Sequence, residues 1–247
     1  GWDVKAMQRL IVTSATYQQS STLSQEQLSA DPENLLLARA PRLRLQAEMV
    51  RDQALAASGI LVGTIGGPSV KPYQPEGLWK EIASQVYVRD DAEKIYRRSL
   101  YTFWKRTVPP PMMMTFDASS RETCVLSRSR TNTPLQALAL LNDVTFVEAA
   151  RVLAGEAISR GGARPADRLA WAFRQLTSRL PTDQELVILE KALGRSLARY
   201  QSDQESAAKL VGFGETEVPA GSDLVQLAAY TSVVNLMMNL DEVVNRE

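Results

Sequence analysis

Residues 133–141 read Thr-Pro-Leu-Gln-Ala-Leu-Ala-Leu-Leu. The stretch opens like a helix N-terminus. Thr133 stands at the cap, Pro134 at the first helical position where its missing N–H is no loss, and Gln136 at the spacing of a capping box. The run through Leu141 then predicts an apolar helix. The same punctuation recurs on either side. After Pro181, Thr182-Asp183-Gln184-Glu185 repeats the capping pattern, and Leu186, Leu189, Leu193 and Leu197 mark one face of the next helix. Asp223-Leu224-Val225-Gln226 starts a last helix with Leu227, Thr231 and Val234 in its stripe, while Gly161-Gly162 and residues 211–221 read as connections. Toward the N-terminus, Leu45, Met49, Asp52 and Ala56 lie on a helix that Gly59 closes. Asp31-Pro32 signals a helix start leading into Leu35-Leu36-Leu37. Trp2, Ala6, Leu10, Thr13 and Tyr17 share one helical face, followed by a polar break over residues 18–24.

The expected class is therefore mainly α, a multi-helix globular domain with a long irregular Pro/Arg-rich central segment. It divides into N-terminal helices over 1–62, an irregular basic and aromatic segment over 63–130, and C-terminal helices over 131–247. Residues 63–77 hold Gly63, Gly66, Gly67, Gly77, Pro68, Pro72 and Pro75, which predicts a loop. That loop matches neither a P-loop nor a dinucleotide fingerprint. Only residues 99–104 are as strand-like as helical.

Composition excludes several chemistries. The chain has 28 basic residues, 28 acidic ones and no histidine, so it offers no imidazole as base, nucleophile partner or metal ligand. With Cys124 alone there is no internal disulfide, and no C-x-x-C-H run attaches haem. Net charge zero gives no global pull toward nucleic acid or anionic membrane. Residues 135–141 and 224–240 are too short or too polar to span a bilayer. No signal peptide is visible, because Gly1-Trp2-Asp3 opens directly on helical pattern, as at a processing edge.

Neutrality conceals an uneven distribution. Residues 94–130 carry Lys94, Arg97, Arg98, Lys105, Arg106, Arg121, Arg128 and Arg130 against Asp117 and Glu122, a net +6 that leaves −6 elsewhere. Tyr96, Tyr101, Phe103, Trp104 and Phe116 interleave with this charge. Guanidinium groups beside aromatic faces suit the carboxylate, sulfate or phosphate of a ligand, which makes Arg97, Arg98, Tyr101, Trp104, Arg121, Arg128 and Arg130 candidate ligand-binding residues. Single-stranded nucleic acid is a less favoured partner for the same composition. The commoner role of arginines in an irregular segment is to tie it down, on helix C-terminal carbonyls and on acidic residues from elsewhere. Asp117 and Glu122 are the weaker candidates, as acid/base groups. Pro109 to Pro111 predict a stiff polyproline spacer carrying Met112, Met113 and Met114 onto the core. A haem or Cu(I) role for those thioethers lacks the other ligands, and Cys124 reads as a small packed residue.

Several of these motifs together resemble a known family. They are Tyr96-Arg97-Arg98-Ser99-Leu100-Tyr101, Lys105-Arg106, Phe116-Asp117, Arg121-Glu122-Thr123-Cys124 and Arg130-Thr131-Asn132-Thr133-Pro134-Leu135-Gln136-Ala137-Leu138, with Leu141-Asn142-Asp143. The run is similar to the central signature of a planctomycete domain of unknown function. That domain forms the C-terminal part of envelope proteins with planctomycete-type cytochrome-c-like modules. The resemblance implies that this chain lacks the family's N-terminal portion, that the parent protein lies in the periplasm or cell envelope, and that any haem belongs to other modules. It implies no catalytic residues. The favoured expectation is a non-catalytic binding or scaffold module for an acidic or sulfated glycan or a partner domain of the same polypeptide. The alternative is part of an enzyme or redox assembly acting on polysaccharide, its site shared with the missing region or a cytochrome module. Arg97, Arg98, Arg128 and Arg130 exposed on one face favour binding, their burial in separate carboxylate pairs favours a purely structural role, and two carboxylates roughly 5 to 9.5 Å apart in one cleft favour the enzyme.

Overall fold

Capped helical runs alternate with proline- and glycine-rich connections, and in the computed structural model they form twelve α-helices among the described residues, 1–82 and 86–246. Residues 83–85, within the segment read as irregular, and Glu247 lie outside the described residues. Among the described residues, no helix is long and apolar enough to cross a membrane. The chain, read from sequence as one domain, groups into two compact units, Gly1–Leu45 with Asn245–Glu247 and Gln46–Val244.

The first unit holds α1 (Val4–Val12), α2 (Gln25–Ala30), and the short antiparallel pair β1 (Leu43–Arg44) and β2 (Asn245–Arg246). Asp3 caps α1 by accepting the Ala6 N–H at 2.9 Å, yet α1 buries none of its residues. Ser24 and Gln27 form a full capping box for α2, so the polar break ends in a helix start that the apolar pattern did not reveal. The helix expected after Asp31-Pro32 does not form. The two carboxylate oxygens of Asp31 accept from Leu35 N–H and Leu36 N–H, both at 2.8 Å, and so close a turn. Asn34 and Leu37 take positive φ of 55° and 53°, a left-handed conformation that a right-handed helix cannot continue.

The second unit contains α3 (Ala47–Ala57), α4 (Leu78–Ile82), α5 (Pro111–Thr115), α6 (Pro134–Asn142), α7 (Val144–Arg160), α8 (Pro165–Thr177), α9 (Asp183–Ser202), α10 (Gln204–Val211), α11 (Leu224–Met238) and α12 (Asp241–Val244). Helix α11 is apolar nearly all round and is correspondingly central, packed on α7, α9 and α10 with α6 and α8 at its flanks. Helix α3 crosses α7, and Gly59 at φ +79° closes it as the sequence predicts. The Thr182–Glu185 capping box forms in full. At α6 it forms by half. Thr133 accepts from Gln136 N–H, but the Gln136 amide turns away to donate to Thr115 O at 3.0 Å and Thr131 Oγ1 at 3.1 Å.

The central segment has little regular structure. It makes 3₁₀ turns at Ala92–Tyr96 and Ser99–Tyr101, and isolated bridges pair Val62 with Arg97 and Val70 with Thr102. Residues 99–104 are thus neither strand nor α-helix. Pro111 begins α5, so the three prolines run into a helix, which buries Met113 and exposes Met114. Cys124 is exposed on the surface, contrary to the packed position expected.

One buried carboxylate fastens this unit. Glu148 of α7 is fully buried and accepts from Tyr73 Oη at 2.9 Å, Tyr96 Oη at 2.7 Å, the backbone N–H groups of Glu215 and Thr216 at 2.7 Å each, and the Thr216 hydroxyl. Arg151 stands 3.8 Å away and donates to Thr216 O at 2.6 Å. Burial, with the adjacent carboxylate, raises the Tyr73 phenol above its usual range. Gly214 is needed at its place, since its φ is +92° and a Cβ there would overlap the Glu148 carboxyl group.

Replacing Glu148 by Gln turns an acceptor of several donors into a mixed donor and acceptor and leaves Arg151 uncompensated. The expected loss is about 3 kcal/mol in urea unfolding, against about 1.5 kcal/mol for Tyr73→Phe. Equal costs would show that the carboxylate is no hub. At the surface, the Arg179 guanidinium hydrogen-bonds Glu185 and holds its carboxyl at about 2, against 4.5 for a free glutamate, with burial opposing and Thr182 N–H assisting. A depressed folded-state pKa gives stability that is complete above about 4.5 and is lost as pH falls toward about 2. Glu185→Gln is therefore expected to flatten the acid limb of Tm against pH in that window.

Candidate functional site

An open cleft of about 1050 Å³ lies between the first part of the central segment, the α6–α7 junction and the loop after α10. Its walls carry Tyr73, Trp79, Lys80, Tyr87, Arg89 and Glu215, and Asn142 and Asp143 also line it. Trp79, on α4, packs edge-on to Tyr87 at 5.1 Å and tilted to Phe103 at 6.0 Å. The Lys105 ammonium lies 4.2 Å from the Trp79 ring centroid and that of Lys71 5.9 Å away, within cation–π range. Tyr87 donates its hydroxyl to Pro72 O at 2.6 Å, which fixes the ring, and burial raises its phenol above the usual range. The indole N–H of Trp79 is buried and has no hydrogen-bond partner among the described residues.

Charge is arranged around this aromatic wall. The Arg89 guanidinium sits 4.9 Å from the Tyr73 ring and pairs with Glu215. Partial burial works to lower the Arg89 pKa, and the Glu215 carboxylate more than offsets it, so the group stays firmly cationic. Asp143 is the N-cap of α7, accepting the Thr145 N–H at 2.9 Å. Burial raises its carboxyl above the ordinary aspartate range, against the lowering effects of Thr145 and Arg51. The cleft therefore presents the half-buried rings of Tyr73 and Tyr87 beside the buried Trp79, the Lys80 ammonium, the Arg89–Glu215 pair, and acceptors in Glu76 and the Asn142 amide.

The residues singled out from the sequence occupy other positions. Arg97 is buried at 7% exposure, donating to Pro68 O at 2.9 Å, Thr64 O at 3.2 Å and Gly66 O while stacking 4.0 Å from the Tyr101 ring. Tyr101 accepts the Gly66 N–H at 2.7 Å. Arg98 is exposed with its Nε 4.0 Å from Asp52, and Arg128 meets Glu48 at 2.7 Å. Glu48 and Asp52 are four residues apart on α3, so one flank of that helix neutralises both arginines. Arg121 lies 4.5 Å from the Trp104 ring, whose indole donates to Ser120 O at 3.3 Å. Arg130 is exposed. Asp117 accepts from Thr131 N–H at 2.7 Å and Thr131 Oγ1 at 2.8 Å, and Glu122 pairs with Arg106 at 3.1 Å. Neither carboxylate lines the cleft.

Sequence reasoning missed Tyr73, Trp79, Lys80, Tyr87 and Arg89. A signal was present: aromatic residues alternate with Lys71, Lys80 and Arg89 just upstream of the window in which the basic charge was counted. Asp143 and Glu215 carry no such signal, because only the fold brings them to the same cleft.

Neither the curated proteins nor the solved structures contain a match to this chain. A family model described as PSD1, protein of unknown function (DUF1553), matches residues 1–193. That span is more than three quarters of the 247 residues, and the chain belongs to this family of proteins of unknown function.

Proposed function

We propose that the chain is a non-catalytic binding module whose cleft takes a glycan bearing acidic or sulfate groups. The observation that carries this reading is the juxtaposition of Trp79, Tyr87 and Tyr73 with Lys80 and Arg89 in one open cleft. The half-buried rings of Tyr73 and Tyr87, backed by the buried Trp79, accept the apolar faces of sugar rings, Lys80 and Arg89 answer the anionic substituents, and Asn142 with Glu76 takes hydroxyl groups. Arginines that anchor backbone, such as Arg97, are scaffold in this reading. Following the family resemblance, we read the module as part of a larger planctomycete envelope polypeptide with cytochrome-c-like modules, in which haem and any redox partner lie outside this chain.

The test is calorimetric titration of the whole chain with a sulfated, a carboxylated and a neutral oligosaccharide. The anionic probes are expected to bind more weakly as salt rises. A double variant, Lys80→Gln with Arg89→Gln, should lose about tenfold in affinity, while Arg98→Gln binds as the wild type does. No binding by the wild type, or equal binding by the double variant, overturns the proposal.

A second reading follows from Asp143 alone. A carboxyl group whose pKa is raised by burial, in a cleft that also holds Glu76 and Glu215, has the character of a general acid. If the cleft cleaves polysaccharide, new reducing ends appear on incubation, and Asp143→Asn abolishes them while retaining the capping acceptor. Absence of reducing ends with a glycan that binds rules this reading out.

A further inference from the structure

Gly155 sits in the interior of α7 without a backbone or steric reason for being glycine. Its φ is ordinary for a helix, and a Cβ at this position would meet only Leu227 Cδ1, 4.0 Å away, at normal van der Waals distance. Glycine is a poor residue for a helix interior because it gives up more chain freedom on folding than alanine does. Gly155 lines a pocket. A pocket of about 270 Å³ lies between α7, the first turns of α11 and the loop before it. Val152, Ile158, Leu227 and Pro219 give it apolar walls.

The charge at its mouth is one-sided. Glu156, Glu217 and Asp223 all line the pocket, and Arg160 neutralises Glu156 at 2.8 Å. Glu217 and Asp223 are exposed, and Asp223 caps α11 through the Gln226 N–H at 3.0 Å. The cation at the pocket's other side, Arg151, is buried at 3% exposure and already engaged with Thr216 O and Glu148. An apolar pocket thus has two exposed carboxylates in its lining, while its guanidinium is held on Thr216 O and beside Glu148.

We propose that this pocket is a binding site for a small organic cation, an ammonium group on a compact aliphatic or aromatic body. The body packs over Gly155 against Val152, Ile158 and Leu227, and the ammonium stays at the mouth beside Glu217 and Asp223. Volume sets the size of the body, and the apolar walls with an anionic mouth set its chemistry. This site is distinct from the cleft, and the proposal stands whether or not the cleft binds glycan.

The test uses the whole chain and three probes of one shape: cyclohexylammonium, cyclohexanol and cyclohexanecarboxylate, titrated at neutral pH. The ammonium is expected to bind at least tenfold more tightly than the other two. Gly155→Leu, which fills the floor, should remove binding, and Glu217→Gln should weaken it about tenfold without changing Tm. Gly155→Ala supplies an independent readout, since it should raise Tm in the absence of probe while weakening the ammonium complex. If Gly155→Leu does not fold, the Ala and Gln variants still decide the matter. Equal binding of the three probes, or undiminished ammonium binding by Gly155→Ala and Glu217→Gln, overturns the proposal.

Discussion

A long irregular segment packed on helices has backbone carbonyl groups that neither a helix nor a sheet ladder satisfies, and a buried polar group must find a partner. In this protein arginine supplies it. Arg51 of α3, 1% exposed, donates to Ile95 O, to Arg97 O at 3.0 Å and to Ser99 Oγ at 3.1 Å. Arg97 in turn gathers the carbonyls of Thr64, Gly66 and Pro68. Five N–H donors in a planar fork allow one side chain to replace several ladder bonds, which lysine cannot do with the same geometry. With the carbonyls held, Ile95 and Tyr96 pack with Leu55, and Ile60, Leu61, Val62 and Tyr73 close over them. Tyr73 and Tyr96 then reach Glu148, and Glu148 orders the loop after α10. The basic segment is in this sense the frame of the second unit, and two of its arginines, Arg98 and Arg128, are answered by carboxylates on α3.

The helices were legible where their signals are local. The Thr182–Glu185 box, Pro134 at the first turn of α6, and Gly59 after α3 are each decided within a few residues, and each stands where the sequence puts it. The exceptions share a cause. Asp31 has the residue type of a cap, but capping requires reach to the amides two or three residues on. Its carboxylate instead finds those of Leu35 and Leu36. Gln136 is spaced for a capping box, yet a tertiary acceptor, Thr115 O, captures its amide. Local grammar says which bonds a side chain can make. Competition with the rest of the fold decides which it does make.

The candidate cleft was less legible for a different reason. The arginines of residues 94–130 are largely engaged within the fold, Arg97 on backbone carbonyls and Arg98 and Arg128 on α3 carboxylates, and a guanidinium so held looks in sequence like one facing a ligand. The cleft draws on residues within 73–80, 86–89, 142–144 and 214–215, and no short window along the chain contains them all. Only the aromatic and basic alternation of its first part could have been read in advance.

The buried carboxylate is worth more than its own hydrogen bonds. A buried ion is seldom the most stabilising choice, since apolar residues of equal volume often do as well. Glu148 does what apolar packing cannot, because it accepts two consecutive backbone N–H groups from a loop without secondary structure of its own. Those two residues divide the loop. Glu215 faces the aromatic cleft and pairs with Arg89, whereas Thr216 and Glu217 line the pocket over Gly155. One carboxylate thus sets the wall of both cavities, and any movement of the 214–217 backbone that reshapes one must break bonds that also shape the other. A rigid shared wall keeps each cavity preformed, which lowers the ordering cost of binding in either.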